Sequence, residues 1–341
     1  MNIYYVGTVP GGCYYYRCYL PMLHNGWDGN YISMYSQGKD SKQIAKEVMQ
    51  QDIVVYQRPS ELPRLDSAKL LQQAGKKIVF DNDDTYKKLD DRMNFKKEFE
   101  LQAGTLDEFI EMADLVTTTT ETLAKEYRKL NKNVVVLPNF IDPDDWDTPL
   151  RNDNGKVRIG LVGSVTHNKD YEHIKELIEV LAEIGSVELV VMGMREMPKV
   201  FKEKMQEEID YWAGLNIEWV DSVVNSEYPD KLNSLKLDLM LIPRADTYFN
   251  KCKSNCKFLE ASMCEIPVIA QTFGDDLSPY DNNDYLITAN TPEEWEIAVL
   301  GLMVDVEWRK EIGKKARVHV IENYNIEDKA HLWKEAYKKL V

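Results

Sequence analysis

Short apolar runs alternate with longer segments of helical periodicity along nearly the whole chain. Strands of a parallel sheet that is covered on both faces are apolar on both sides, and helices connect them. The pattern therefore predicts an α/β fold with parallel sheets. The predicted strands lie at residues 2–7, 52–57, 76–81, 113–120, 133–138, 157–163, 187–193, 217–222, 237–243, 266–271 and 284–288.

The alternation occurs in two series, separated by a segment near the middle of the chain. This segment, PNFIDPDDWDTPLRNDNG (138–155), is rich in Pro, Asp and Asn, as linkers are. We therefore predict two Rossmann-like domains, residues 1–150 and 151–325, that face each other across a cleft. Ligands of such sheets bind beyond the carboxyl ends of the strands. The predicted helices lie near residues 14–24, 40–50, 61–74, 94–112, 120–130, 170–185, 198–213, 228–235, 254–264, 292–301, 305–322 and 326–340.

The chain has 341 residues and a formal net charge of −15. This acidic balance gives no indication of a surface for nucleic acid or for an anionic membrane. No apolar run approaches the ~20 residues of a membrane span, and the opening residues MNIYYVG lack the regions of a signal peptide. We therefore expect a cytoplasmic protein without a transmembrane segment.

None of the five cysteines forms a CxxC pair, and the histidines form no cluster. The spacing therefore predicts neither a zinc site nor a redox motif. Cys13, Cys18, Cys252, Cys256 and Cys264 are instead expected to be structural thiols.

The segment KSNCKFLEASMCEIPVIA (253–270) predicts a helix with an unusual first turn. Ser254 is a suitable N-cap, and Lys257 and Glu260 follow on the same stripe of the helix. A cation is mildly unfavourable at a helix N-terminus, unless an anion such as phosphate binds there. A carboxylate one turn further along suits two vicinal ribose hydroxyls. The alternative is an intrahelical Lys–Glu pair without a ligand.

The segment S-x-x-K-x-x-E-A, followed by P-V-I-A, resembles the donor-binding segment of GT-B glycosyltransferases, especially the retaining family-four group. Each matching motif is short, but their order and spacing are specific together and cover nearly the whole chain. The other motifs that carry the resemblance are GGCYYYRCYLPML (11–23), ADLVTTTTETLAKEY (113–127), LPNFID (137–142) and VRIGLVGSVTHNKDYEHI (157–174).

The resemblance implies that the second domain binds a nucleotide sugar of the UDP- or GDP-sugar type, with no other cofactor. Lys257 and Lys169 would contact the diphosphate, and Glu260 would contact the ribose. Gly163 would let the backbone approach the donor. The first domain would select the acceptor, and the last helix, within 326–341, would cross back toward it.

Two positions depart from the family pattern. Ser164 stands where the family commonly has an arginine, and Cys252 stands where it has a first glutamate near the transferred sugar. Sugar contacts are therefore predicted from the segment RADTYFNKCKS (244–254). The candidates are Asp246, Asn250, which would otherwise cap a turn, and Lys253.

Further candidates come from the loops that would face the cleft. Gly12 and Arg17 could reach the donor phosphates from the first domain, although Arg17 would also suit a surface ion pair. His167, in GSVTHNKD, could bind phosphate or sugar, or be an ordinary loop residue. The adjacent tyrosines 14–16 are expected to pack and to offer a platform for the acceptor.

The strand end VFDNDDT (79–85) clusters three carboxylates. Asp83 and Asp84 are predicted to face the cleft and to act on the acceptor or the transferred sugar. An Asp-x-Asp pattern is also the metal-binding signature of GT-A glycosyltransferases, for which Asp81 and Asp83 would be the ligands. A third interpretation is a solvated acidic turn.

The predicted function is transfer of a sugar from a nucleotide sugar to an acceptor, without metal. The resemblance implies that the anomeric configuration is retained. The acceptor is open: a glycan, a small molecule, a protein or a modified nucleic acid. Three alternatives stay open as well. They are a metal-dependent GT-A-type transferase, a non-catalytic nucleotide-sugar-binding partner subunit, and a sugar transferase that acts on modified nucleic acid.

Overall fold

The computed structural model describes residues 1–7, 11–27, 41–91, 93, 96–193, 206–273 and 277–341, without the side chains of residues 41–44, 165, 166, 168 and 208. Two parallel sheets dominate these residues. The first contains five strands in the order β1-β2-β3-β4-β5. These strands are β1 (Ile3–Val6), β2 (Ile53–Gln57), β3 (Lys77–Asn82), β4 (Leu115–Thr118) and β5 (Val134–Val136).

The second sheet contains six strands in the order β11-β10-β9-β6-β7-β8. Read from the other edge, this is the doubly wound order of a Rossmann fold, with its switch point between β6 and β9. The strands are β6 (Val157–Val162), β7 (Val187–Met192), β8 (Ile217–Val220), β9 (Leu239–Ile242), β10 (Val268–Gln271) and β11 (Ile287–Ala289).

Helices connect the strands in both domains. The α-helices among the described residues are Gly12–Tyr14, Leu20–Asn25, Ser41–Met49, Leu62–Gln73, Lys96–Met112, Glu121–Tyr127, Lys175–Glu183, Gln206–Ala213, Tyr228–Ser234, Tyr248–Lys251, Cys256–Met263, Pro292–Val304, Val306–Tyr324, Ile326–Lys329 and His331–Lys338. A π-helical turn, Tyr15–Tyr19, joins the first two. The 3-10 segments in the described parts of the chain are Pro143–Asp145, Val165–Ile174 and Asn225–Glu227.

The α/β prediction is confirmed, because each predicted apolar run overlaps a strand of one of the two parallel sheets. The predicted helix 170–185 begins later than expected, since the chain is 3-10 over Val165–Ile174 and α-helical only from Lys175. Asp170 explains part of this difference, because contacts to the 244–250 loop hold its carboxylate. The predicted helical residues 40, 94–95 and 198–205 lie outside the described residues.

Each sheet is covered on both faces by apolar side chains. Tyr4, Val54 and Phe109 belong to the core on one face of the first sheet, and Ile3 and Val55 to that on the other. The five cysteines are free thiols, and three of them are buried. In the described part of the chain, no helix has the length and apolarity that crossing a bilayer requires.

The chain crosses between the domains twice at one place. Ile141 pairs with Asn325 in a parallel bridge, and the backbone N–H of Ile326 donates to the Ile141 carbonyl at 2.8 Å. Beyond this bridge, Trp333 and Tyr337 are fully buried among residues of the first domain. The last two helices therefore complete the core of the first domain.

Candidate active site

A cleft with a cavity volume of about 330 Å³ lies between the two domains. This volume falls at the lower end of the range for small-molecule sites. The first domain contributes Gly12, Tyr15 and Tyr16 to its lining, and the second contributes the ends of β6 and β7 and the first turns of helix Cys256–Met263.

Glycines at the ends of β6 and β7 form one wall of the cleft. Gly193 has φ +82°, and a Cβ atom there would lie 2.6 Å from the carbonyl oxygen of Gly163. A larger residue at Gly193 is therefore excluded by both conformation and space. The exposed Ser164 follows Gly163 and also lines the cleft. This wall presents backbone atoms that a ligand can approach closely.

Helix Cys256–Met263 begins two residues later than the sequence indicates. Its N-cap is Asn255, and no side chain caps it. The predicted Ser254 cap is wrong, because the Ser254 hydroxyl instead accepts a hydrogen bond from the Asn139 amide at 3.0 Å. Lys257 nevertheless occupies the first turn and lines the cleft.

Glu260 lines the cleft and is 5% exposed. Its Oε1 accepts from the Tyr16 hydroxyl at 3.0 Å and from the Cys256 thiol at 3.6 Å. Its Oε2 accepts from the Tyr228 hydroxyl at 2.9 Å and from Lys257 Nζ at 3.1 Å. The intrahelical Lys–Glu pair is thus present, and both of its members also line the cleft.

The two phenols that bind Glu260 are neutral hydrogen-bond donors. Burial raises the pKa of Tyr16 and of Tyr228 well above the ordinary value, and the negative charge of Glu260 raises both further. Tyr16 belongs to the π-helical turn Tyr15–Tyr19, a rare geometry that is frequent at functional sites. The carboxylate therefore keeps two uncharged donors, one from each domain.

A second polar cluster joins the domains around Asp84. Lys253 of the second domain lies 2.5 Å from Asp84 Oδ1, and Arg58 lies 3.2 Å from Oδ2. Arg58 also lies 3.6 Å from Asp83. Burial acts to raise the pKa of Asp84, but the two cations outweigh it and lower the pKa to about 2. The predicted site residues in this cluster form ion pairs with one another or with Arg58. None of the three, Asp83, Asp84 and Lys253, lines the cleft.

A third cluster surrounds Asp170 and contains two more of the predicted ligands. The Asp170 carboxylate accepts from the Asn250 amide at 2.7 Å and from Arg244 at 3.0 Å, and His167 Nδ1 lies 2.9 Å from it. Burial, with the positive charge of Arg244, lowers the pKa of His167 to about 4. Asn250 and the neutral His167 hold the 244–250 loop to the segment that follows β6, and neither lines the cleft.

Arg17 is not a ligand for donor phosphate, contrary to the sequence-based prediction. Its guanidinium is fully buried and donates to both oxygens of Asp81, at 3.1 and 2.7 Å. Asp81 also accepts from the Thr117 hydroxyl at 2.7 Å. Asp81 is therefore unavailable for a metal site with Asp83, which removes the geometric basis of the GT-A alternative. Among the described residues, no group of three His, Cys, Asp or Glu side chains could hold a metal ion.

The predicted second diphosphate lysine, Lys169, lies away from Lys257. It pairs with Glu172 at 3.3 Å and lines a different surface pocket, together with Lys175 and Tyr211. Asp246, another candidate, is an exposed residue paired with Lys251. Of the predicted ligands, the cleft brings together Gly12, Gly163, Ser164, Lys257 and Glu260.

Sequence reasoning missed several residues of the site. The role of Tyr16 toward Glu260 and the presence of Tyr228 had no local signal, because 244 and 32 residues separate these partners. Gly193 did have a local sequence signal, because VVMG at the end of β7 repeats the pattern of LVG at the end of β6. Arg58, with φ +50° at the end of β2, was also missed.

Known proteins share the fold of this chain and part of its sequence. Residues 171–335 match the family model described as glycosyl transferase-like. Sucrose-phosphate synthase from Thermosynechococcus elongatus superposes with a TM-score of 0.71 at 13% identity, over 100% of this chain and 99% of that one. HepE from Anabaena in complex with UDP-glucose superposes with a TM-score of 0.71 at 12% identity, over 99% of this chain and 100% of that one.

A glycosyltransferase from Rickettsia africae ESF-5 gives a TM-score of 0.64 at 15% identity, over 99% of this chain and 98% of that one. No curated protein sequence matches the chain significantly.

Two facing Rossmann-like domains with a cleft between them define the GT-B fold, which the whole chain shares with these structures. The second domain also carries the sequence pattern of the glycosyl transferase-like family. The chain therefore has the fold of the GT-B glycosyltransferases, and the resemblance seen in its sequence is confirmed at the level of the fold.

Proposed function

We propose that the protein transfers a sugar from a nucleoside diphosphate sugar, bound in the interdomain cleft, to an acceptor hydroxyl. The observation that carries the proposal is the position of Lys257 and Glu260 in the cleft that Gly163 and Gly193 also line. UDP-sugars are the first donors to test, because the related HepE fold was solved with UDP-glucose. GDP-sugars are the alternative.

The lining of the cleft suggests how the donor lies. Met192, Val223, Tyr228 and Pro229 form an apolar side that suits a nucleobase. Glu260 would accept hydrogen bonds from the ribose hydroxyls. Lys257 and the backbone at the end of β6 would bind the diphosphate, with the positive end of the helix dipole behind them.

The chemistry follows from these charges. The bond between the anomeric carbon and the β-phosphate oxygen breaks, and the acceptor oxygen bonds to that carbon. The acceptor proton passes to the departing phosphate, which Lys257 stabilises as its negative charge develops. Attack on the face from which the phosphate leaves retains the configuration, and this needs no carboxylate nucleophile. In this proposal the reaction needs no metal ion.

Thermal stability against a panel of nucleotides and nucleotide sugars, measured in EDTA, tests the proposal without an acceptor. A ligand at a hundred times its dissociation constant adds ~2.7 kcal/mol of stability. We expect one nucleotide sugar to raise the unfolding temperature of the wild type, and to raise that of Lys257→Ala by less. A shift that needs manganese would contradict the metal-free site, and no shift at all would contradict the function.

The burial of Cys252 favours a second candidate function. This residue stands at the position of the family's first glutamate, is 1% exposed and packs in the core of the first domain. No carboxylate therefore faces the sugar from this position. A subunit that binds nucleotide sugar without transferring it would lack this carboxylate in the same way. Slow donor hydrolysis by the wild type, absent in Lys257→Ala, would identify a catalyst. Binding without any turnover would identify the partner subunit.

A further inference from the structure

Tyr16 connects the first domain to the carboxylate that would bind ribose. Its hydroxyl donates to Glu260 Oε1 at 3.0 Å across the cleft, and its side chain is 7% exposed. Tyr228 makes the matching contact to Oε2 from within the second domain. Glu260 is thus held between two phenols, one at each oxygen.

We propose that Tyr16 is a positioning residue of the nucleotide site, through which the first domain takes part in recognition of the ribose. This inference rests on the proposed function. It adds that ribose binding by Glu260 depends on a side chain from the domain that would otherwise serve only the acceptor.

The hydrogen-bond capacity of Glu260 supports the inference. A carboxylate has about four lone-pair sites, and Tyr16, Cys256, Tyr228 and Lys257 supply four contacts. The thiol is a weak donor, and Lys257 would turn toward the diphosphate when a donor binds. Departure of these two frees one site on each oxygen, which is what two vicinal ribose hydroxyls require. The two phenols stay in place and fix the orientation of the carboxylate.

The geometry of the π-helical turn keeps the Tyr16 hydroxyl in position. Tyr15 packs edge-to-face on Tyr16, with ring centroids 5.2 Å apart. The next residue, Arg17, is anchored to Asp81 of β3. Tyr16 is therefore a rigid part of the first domain, so its contact to Glu260 depends on how the domains are arranged.

The test separates the ribose from the rest of the nucleotide. Binding of UDP and of 2′,3′-dideoxy-UDP is measured by calorimetry in EDTA for wild type and Tyr16→Phe. Loss of a hydrogen bond to a charged group predicts about tenfold weaker UDP binding by the variant. The dideoxy nucleotide lacks the hydroxyls that Glu260 would bind, so its affinity should change less than about twofold.

Tyr19→Phe is the matched control, because Tyr19 lies on the same turn but is exposed and does not line the cleft. It should bind both nucleotides as the wild type does. If Tyr16→Phe does not fold, Tyr16→Met replaces it, because methionine also lacks the hydroxyl and adapts to irregular core space. The same difference between UDP and the dideoxy nucleotide is expected.

Two results would overturn the role of Tyr16 while leaving the proposed function intact. One is unchanged UDP binding by Tyr16→Phe, and the other is an equal loss for both nucleotides. A wild type that binds no nucleotide in the panel would instead overturn the proposed function, and this inference with it.

Discussion

Two carboxylates near the domain boundary, Glu260 and Asp84, are held in different ways. Glu260 accepts from two neutral phenols, a thiol and one lysine, and it lines the cleft. Asp84 is paired with two cations, Arg58 and Lys253, and does not line the cleft. Both are almost fully buried, and both bind a side chain of the other domain.

The difference lies in which contacts a ligand can replace. At Glu260, ribose hydroxyls would replace the Cys256 thiol and Lys257, while the two phenols keep their hydrogen bonds to the carboxylate. Removing a cation from the buried Asp84 would leave an uncompensated charge, which is strongly unfavourable. We infer that the Asp84 cluster holds the domains together, whereas the Glu260 cluster is suited to a ligand.

The largest expected effect is on stability. Asp84→Asn removes the carboxylate that pairs with Lys253 and leaves Arg58 only its longer contact to Asp83. Breaking a buried pair in this way typically costs about 3 kcal/mol. Urea unfolding measures the loss. Glu260→Gln is the matched control, because its amide oxygen can still accept from a phenol, and it should lose less than half as much. Equal losses for the two variants would abolish the distinction between the clusters.

Acid should weaken the Asp84 cluster selectively. Since the pKa of Asp84 is lowered from 3.8 to about 2 in the folded protein, this group stabilises the fold above pH ~4 and loses that contribution as the pH falls toward 2. The contribution is ~2 kcal/mol. The stability difference between wild type and Asp84→Asn should therefore shrink over this range. A difference that is constant with pH would contradict the assignment.

The next effect concerns the nucleotide rather than the fold. Glu260→Gln should weaken UDP binding by about tenfold or more, because hydrogen bonds to a charged group contribute ~1.5–3 kcal/mol. The UDP affinity of a folded Asp84→Asn variant should differ from that of the wild type by less than about threefold. Calorimetry at one salt concentration makes the comparison, and a larger loss for Asp84→Asn would reverse the roles of the two carboxylates.

The smallest expected effect comes from Lys169. Family resemblance assigns it to the diphosphate, but here it pairs with Glu172 on another surface. Lys169→Ala should therefore bind UDP within about twofold of wild type, while Lys257→Ala loses affinity. A loss for Lys169→Ala as large as that for Lys257→Ala would show that the loop after β6 rearranges when the ligand binds.

The sequence was sufficient to predict the strands of both sheets. Buried parallel strands such as β2 and β7 are apolar on both faces, so their signal is local and strong. The course of the first helical region was not predictable in the same way. GGCYYYRCYLPML shows a helix with one arginine, but the pattern does not reveal a π-helical turn or that Arg17 reaches Asp81, 64 residues away.

The same distinction between local and long-range signals applies to the candidate site. Lys257 and Glu260 could be proposed from sequence because three residues in a helix place them on one stripe. Ser254 and Asn250 were misjudged because nothing local shows that Asn139 and Asp170 bind them. Contacts between the domains, such as Tyr16 with Glu260, depend on how two separate folding units come together.

The bridge between Ile141 and Asn325 has a consequence for how the protein is made. Synthesis proceeds from the N-terminus at ~5–20 residues per second, so the first sheet leaves the ribosome long before Trp333 and Tyr337 exist. The apolar surface that these two residues cover, which includes Tyr5 and Leu20, must wait for the second domain to be translated. The first domain is therefore synthesised before the second but completes its core after it. A nascent chain that stops before residue 326 would expose this apolar surface and would be expected to bind chaperones.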